Sequence, residues 1–349
     1  MTPSKRPAEN LRLRRRYQLY LGEAKRLSER SVDVHLAAID RFEAATGYKP
    51  FKQFHISQAM AFKEKLRAEK SAKTGKPLAA ATKLQICKAL RAFFQWLSEQ
   101  PGYRRAIRYN DADYFNLSNA EQAQARSHDA KPAPTLDQIR HLLENMPSAT
   151  DIQRRDRAII AFLALTGIRV GALITLRVKH VNLFDACVYQ DARQVDTKFR
   201  KSWTTTFFPV GDAIKEVFTD YVTYMRTERF YGPDEPLFPK AQVVTGPGRI
   251  FEASKLTRLP WKSAGPVSAK VRNAFAEVGL PAFGPHSFRK TLARYGTEIC
   301  DTPEEMKAWS QNLSHEDVMT TFTSYGNVMP ERQAQLIRAL RATMDCVLE

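Results

Sequence analysis

Six residues of the carboxy-terminal half have the types and the order of a site that breaks phosphodiester bonds: Arg169, Lys198, His286, Arg289, His315 and Tyr325. A phosphoryl group under attack gathers negative charge on its non-bridging oxygens. Two guanidiniums answer that charge with several fixed donors and stay protonated at any working pH, a task that suits Arg169 and Arg289. His286 and Arg289 are three apart, so a helix would set both on one face, able to converge on one phosphate. Tyr325 supplies a hydroxyl nucleophile whose ordinary pKa of about 10 calls for a positive surrounding or a nearby base before it can attack. Singly, each piece is weak. A lone tyrosine is more often a packed or surface aromatic, His-x-x-Arg recurs by chance, and Arg169 could serve as a helix cap or pair with a carboxylate. Order, context and spacing together carry the reading.

The contexts are Thr166-Gly167-Ile168-Arg169, Pro285-His286-Ser287-Phe288-Arg289, Leu313-Ser314-His315-Glu316-Asp317, and Thr320-Thr321-Phe322-Thr323-Ser324-Tyr325. In these the chain resembles the tyrosine recombinase (phage integrase) family, marked by Thr-Gly-x-Arg, His-x-x-Arg, Leu-Gly-His and a tyrosine shortly after a Thr-Thr pair. The resemblance covers most of the chain. It implies that Tyr325 forms a 3′-phosphotyrosine link to DNA, which keeps the bond energy so that rejoining needs neither nucleotide nor metal. It implies that a hairpin lysine protonates the departing 5′ oxygen; Thr197-Lys198 fits best, with Lys201 as rival. His286 matches the residue that takes or shares the tyrosine's proton, and His315 the one that hydrogen-bonds the scissile phosphate. The chain departs from the family pattern at Ala172, where an acid usually stands three residues after the first arginine. It also has Ser314 in place of glycine, and one extra residue between Thr320-Thr321 and Tyr325.

The elements that must hold these residues are readable in outline. Thr135-x-x-Gln138 is a capping-box start ahead of Ile139, Leu142 and Leu143. A helix over Asp156 to Leu165 should end at Thr166-Gly167, and the next, carrying Leu173 and Leu176, would begin at Arg169. Cys187-Val188-Tyr189 and Trp203 to Phe208 are β-prone runs flanking Lys198, a hairpin or small sheet. Thr302-Pro303-Glu304-Glu305 is a helix start with cap, early proline and reciprocal glutamate. Ser314-His315-Glu316-Asp317 looks like another start.

The amino-terminal part reads as helices over residues 10–110. Val32, Leu36, Ile39 and Phe42 fall at helical steps up to Gly47, and Leu84, Cys87, Leu90, Phe93, Phe94 and Leu97 repeat the pattern up to Pro101-Gly102. Between them lies a cationic polar loop, residues 70–77, equally a solvated loop or a phosphate contact. Arg12, Arg14, Arg15 and Arg16 read as a solvated or DNA-facing arm. The 349 residues carry a net charge of +17, of which +12 falls in residues 1–130. Such an excess is the footprint of a polyanion partner, DNA being the commonest. No run approaches the roughly 18–20 apolar residues of a spanning helix, the start lacks a secretory apolar core, and the cysteines Cys87, Cys187, Cys300 and Cys346 have no paired spacing for zinc or a dithiol. They read as reduced and structural.

These readings predict a mainly α chain with a small antiparallel β-sheet (α+β) in the two-domain tyrosine recombinase architecture. A helical SAM-like core-binding domain would span 1–117, a linker 118–134, where apolar periodicity fails, and the catalytic domain 135–349. The expected function is a cytoplasmic site-specific DNA recombinase or integrase without cofactor or metal, nucleoid-associated when on DNA. By resemblance it would be a monomer free and a homotetramer on paired recombination sites, exchanging strands through a Holliday junction, with DNA-bending or directionality factors as possible accessories. A type IB topoisomerase-like nicking and resealing enzyme, or a DNA-binding protein keeping the fold without catalysis, are the alternatives.

Overall fold

Two separate hydrophobic clusters divide the chain into compact units, Met1–His128 and Asp129–Glu349. The computed structural model describes residues 6–71, 75–126, 132–197, 201–245 and 251–314, with Gln333 and Gln335. Lys198, His315, Tyr325 and Cys346 lie outside the described residues, as does the helix start expected at Ser314-His315-Glu316-Asp317 beyond its serine.

In the first unit the apolar spacing becomes helices α1 (Ala8–Leu19), α2 (Glu29–Ala45), α3 (Ile56–Ala68), α4 (Ala80–Ser98) and α5 (Asn119–Arg126). The Ser28 hydroxyl caps α2 by accepting from the Ser31 N–H, and the chain turns past its end at Gly47 with φ +67°. The core is aromatic. Phe42 meets Phe62, Phe94 and Phe115 edge to face, with ring centroids 5.2 to 5.6 Å apart. The arginine run is part of α1 rather than a free arm. Arg14 turns inward to pair with Asp40 and, at 3.1 Å, with the fully buried Glu43, while Arg12 and Arg15 face solvent. The stretch read as the start of a linker holds α5, which packs on α4. Its Glu121 carboxylate accepts from Arg67 Nε at 2.8 Å and from the Ser118 N–H at 2.9 Å; the Arg67 bond above all holds Glu121 low, to about 2.

The second unit is built around a buried helix. Thr135 and Gln138 exchange the expected capping bonds at the head of α6 (Leu136–Asn145). Thr150 and Gln153 do the same for α7 (Asp151–Thr166), which therefore begins five residues earlier than its apolar run suggests. Every residue of α7 from Ala158 to Thr166 is buried, enclosed by α6, α9 (Asp212–Thr227), α10 (Gly265–Glu277) and α11 (Pro285–Ile299). After the short α8 (Val170–Leu173) come β1 (Val181–Asn182), β2 (Cys187–Gln190) and β3 (Trp203–Thr206), an antiparallel sheet in that order with Val188 opposite Val181 on one side and Thr205 on the other. A second hairpin, β4 (Ala241–Thr245) with β5 (Phe251–Leu256), precedes α10, and α12 (Pro303–Asn312) closes the described part. The fold is thus mainly helical with small antiparallel sheets, as the sequence predicts. Among the described residues no helix is long and apolar enough to cross a membrane.

Candidate active site

The motif Thr166-Gly167-Ile168-Arg169 is a helix stop folded into a helix start. Thr166 is buried; its hydroxyl donates to the Phe162 carbonyl at 2.6 Å and accepts from the Ile168 N–H at 3.2 Å. Gly167 ends α7 in the left-handed region, φ +57° and ψ +22°. A methyl group there would meet Leu292 Cδ1 at 2.9 Å and Leu313 Cδ2 at 3.0 Å, so both conformation and space require glycine. Ile168 plugs the core, and the backbone of Arg169 then caps α8, its carbonyl accepting from the Leu173 N–H at 2.9 Å.

Arg289 sits one turn inside α11 and is 5% exposed. It donates from Nη1 to the Gly167 carbonyl at 2.7 Å and from Nη2 to the Leu313 carbonyl. One guanidinium thereby ties together the ends of α7, α11 and α12, and satisfies two carbonyls that helix ends leave over. Both bonds go to neutral groups. Burial, and then the neighbouring charge of Arg169, pull Arg289 down to about 9, and burial lowers Arg169 as well. Two partly desolvated cations stand together, an arrangement an incoming phosphate relieves. His286 lies three residues before Arg289 in the first turn of α11 and is exposed.

The spacing of α11 and α12 depends on a second glycine. A methyl group on Gly296 would lie 2.4 Å from Trp309 Nε1, which instead donates to the Leu292 carbonyl at 2.9 Å. That close approach sets the end of α12 beside Arg289. Asn312 then joins α12 to the sheet: its side-chain amide accepts from the Thr206 N–H and donates to the Thr206 carbonyl, both at 2.8 Å. Beyond Leu313 the chain turns at Ser314 with φ +57°. The family's glycine at this place thus answers a backbone requirement that serine meets at a cost.

The β2–β3 loop lies against α8. The Asp196 N–H donates to Thr175 Oγ1 at 2.9 Å, and the Asp196 carboxylate lies 3.4 Å from where a Gly171 side chain would begin. Thr197 is buried and, among the described residues, its hydroxyl finds no hydrogen-bond partner. Lys201 is exposed where the loop returns to β3, beside Ser202, whose Oγ accepts from the Ala192 N–H at 2.8 Å. Ala172, within α8, is 1% exposed and faces the core. A carboxylate there would be buried, so the expected departure has a packing counterpart.

Of the six predicted residues, the structure brings Arg169, His286 and Arg289 into one region. Sequence reading missed Asn312 and Gly296, which carry no chemistry-bearing signal, and the β4–β5 hairpin. Gly246-Pro247-Gly248 between two β-prone runs marks that hairpin in the sequence.

Residues 134–332 match the phage integrase family, and residues 13–102 match the phage integrase N-terminal SAM-like domain. Among curated proteins the chain is 23% identical over 252 residues to tyrosine recombinase XerC of Lactobacillus delbrueckii subsp. bulgaricus, covering 71% of this chain and 72% of that one. It is 27% identical over 190 residues to tyrosine recombinase XerD of Staphylococcus aureus, covering 53% and 55%. Among solved structures it is similar in fold to a lambda integrase dimer bound to a COC′ core site, with TM-score 0.62 and 16% identity, covering 91% of this chain and 97% of that chain. The Tn1549 transposon integrase in complex with circular intermediate DNA gives TM-score 0.59 and 14% identity over 93% and 98%. With its family match spanning more than half its length, the chain belongs to the phage integrase family of tyrosine recombinases, enzymes that break and rejoin DNA.

Proposed function

We propose that this protein is a site-specific recombinase that cuts duplex DNA through a 3′-phosphotyrosine at Tyr325 and exchanges strands by way of a Holliday junction. The observation that carries the reading is Arg289, buried, fixed by two backbone carbonyls and set next to Arg169. A cation held this way needs no reorganisation when charge develops on a phosphate. In the proposed reaction the Tyr325 oxygen attacks the phosphorus, the phosphodiester bond to the 5′ oxygen breaks, and that oxygen takes a proton from Lys198. His286 accepts or shares the tyrosine's proton, and His315 hydrogen-bonds the phosphate. Lys198 is preferred to Lys201 because it directly follows Thr197, as the family's hairpin lysine does; Thr197 is buried next to Asp196, whose N–H bonds Thr175, whereas Lys201 is exposed. The lambda integrase dimer bound to a COC′ core site and the Tn1549 integrase in complex with circular intermediate DNA support a DNA partner. We further propose a monomer in free solution and a tetramer on paired sites.

The test is Tyr325→Phe on a nicked suicide duplex carrying the protein's recombination site. The variant should form no covalent adduct and bind DNA nearly as the parent does, because it gives up one hydroxyl while the cations that dominate affinity remain. An adduct surviving in the phenylalanine variant sinks the assignment of the nucleophile. A parent protein that binds the duplex but never forms an adduct supports the non-catalytic alternative.

A further inference from the structure

Between α9 and α10 the chain leaves the core as a two-stranded ribbon. β4 and β5 pair from Ala241 and Leu256 to Thr245 and Phe251, with a bulge between Gln242 and Val243, and among the described residues they join no other strand. Gln242, Val243 and Val244 are all exposed, Val243 at 60%. Successive side chains point to opposite faces, so both faces are bare from Gln242 to Val244, as are Ala253, Ser254 and Lys255 on β5, while Leu256 at the root packs on the core beside α7. A pair of strands alone is marginal in water, yet the root of this one is built with care. Arg155, 0% exposed, donates from Nη1 to the Pro239 carbonyl at 2.8 Å, ahead of β4, and lies 5.0 Å from the ring of Trp261, beyond β5. Asp156 accepts from Arg155 Nη2 and Nε at 2.7 and 2.9 Å and from Lys270 at 2.8 Å. At the same level the Tyr231 hydroxyl donates to the Thr257 carbonyl at 3.0 Å, and Arg258 donates to the carbonyls of Arg229 and Phe230. A segment that only had to connect two helices would need none of this.

The ribbon and its root are predominantly basic, with Lys255 on β5 and Lys240 and Lys262 flanking the two strands. Between Lys240 and Lys262 the one carboxylate in the sequence is Glu252. The side chains of Lys240, Lys255 and Lys262 make no hydrogen bond or ion pair among the described residues. We propose that the β4–β5 ribbon is a second DNA-contacting element of the catalytic unit, setting these three lysines on phosphates away from the bond being cut. The proposal rests on the DNA-cleaving reading above. A two-stranded ribbon fits the major groove of B-DNA, about 12 Å wide. Arg155 lies near the start of α7 and Gly167, whose carbonyl holds Arg289, at its end, so at about 1.5 Å per residue the ribbon's root lies about 17 Å along the helix from the site. That is the rise of about five base pairs.

The experiment measures binding of the full chain to a mixed-sequence duplex over a range of salt, for the parent and for a variant carrying Lys240→Gln, Lys255→Gln and Lys262→Gln. Removing one phosphate-binding cation flattens the slope of log K against log salt by about 0.9. The variant should be shallower by about two to three, with its thermal unfolding unchanged because none of the three side chains is buried. In parallel, a benzophenone amino acid at Val243 should photocrosslink to DNA. An unchanged slope overturns the proposal. So does a crosslink that captures a second copy of the chain and no DNA, which would make the ribbon a contact between protomers. A parent protein without salt-dependent DNA binding would instead defeat the DNA-cleaving reading, and the two failures are distinguishable.

Discussion

At the scale of single residues, the site depends on two backbone positions as much as on its charged groups. Gly167 occupies the left-handed region directly under Arg289 and has no room for a methyl group beside Leu292 and Leu313. Gly167→Ala meets a conformational cost of about 1–2 kcal/mol before any clash. It should lower stability by at least about 2 kcal/mol in urea unfolding and slow adduct formation, since the carbonyl that holds Arg289 moves. Unchanged stability would contradict the left-handed assignment. Ser314 is the opposite case, a side chain where φ is +57°. Relief of left-handed strain outweighs the added chain entropy of glycine, so Ser314→Gly should stabilise by about 0.5–1 kcal/mol. A lower unfolding midpoint would count against it. Arg289→Lys keeps a charge but gives up the planar fork that reaches the Gly167 and Leu313 carbonyls together, and should lose most cleavage activity despite its positive charge.

Among elements, the β2–β3 loop separates two candidate proton donors three residues apart. When a tyrosine attacks, the leaving alkoxide departs poorly unless an acid protonates it. A sulfur at that bridging position leaves readily, a thiol having a pKa of about 8.5. Lys198→Ala should therefore cleave ordinary DNA slowly and recover on a 5′-bridging phosphorothiolate. Arg289→Ala should stay slow on both, because its charge stabilisation is still missing. Rescue of Lys201→Ala in place of Lys198→Ala would move the donor three residues along the loop, and rescue of neither would place it elsewhere. How much of these elements is legible in the sequence varies with the kind of signal. Helix caps such as Thr135-x-x-Gln138 and Thr302-x-x-Glu305 are local, and so can be read at the residue. The start of α7 escapes the apolar pattern because its first turn, Asp151 to Arg155, is polar but for Ile152, yet Arg155 is fully buried and reaches the Pro239 carbonyl 84 residues away. Asn312 and Gly296 act through β3 and Trp309, which no local pattern announces. The two arginines proposed as catalytic stand out because motif and chemistry coincide in a few residues. The anchoring of Arg289 by Leu313 is tertiary and has no such signature.

At the scale of the whole molecule, charge is divided unequally between two units that each bury their own core. Residues 1–130 carry +12 and residues 131–349 carry +5. Because the first unit has a continuous aromatic core of its own, residues 1–128 should fold alone and bind duplex DNA weakly, with affinity falling steeply as salt rises. A fragment that folds but does not bind at low salt would assign its basic surface to another partner. Not all of its arginines serve that surface. Arg14 pairs with Asp40 and with Glu43, whose side chain is 0% exposed, whereas Arg12 and Arg15 are exposed and make no ion pair among the described residues. Removing one partner of a buried ion pair leaves charge uncompensated and costs about 3–5 kcal/mol in a full disruption. Arg6 still reaches Glu43 at 2.9 Å, so Arg14→Gln should fall below that range. It should lower the unfolding midpoint of the fragment while leaving the salt slope of its DNA binding as it was. Arg12→Gln with Arg15→Gln should do the reverse, sparing stability and flattening the slope by up to about two. If the two variants exchange these effects, α1 presents its other face to DNA, and the inward pairing of Arg14 does not persist in solution.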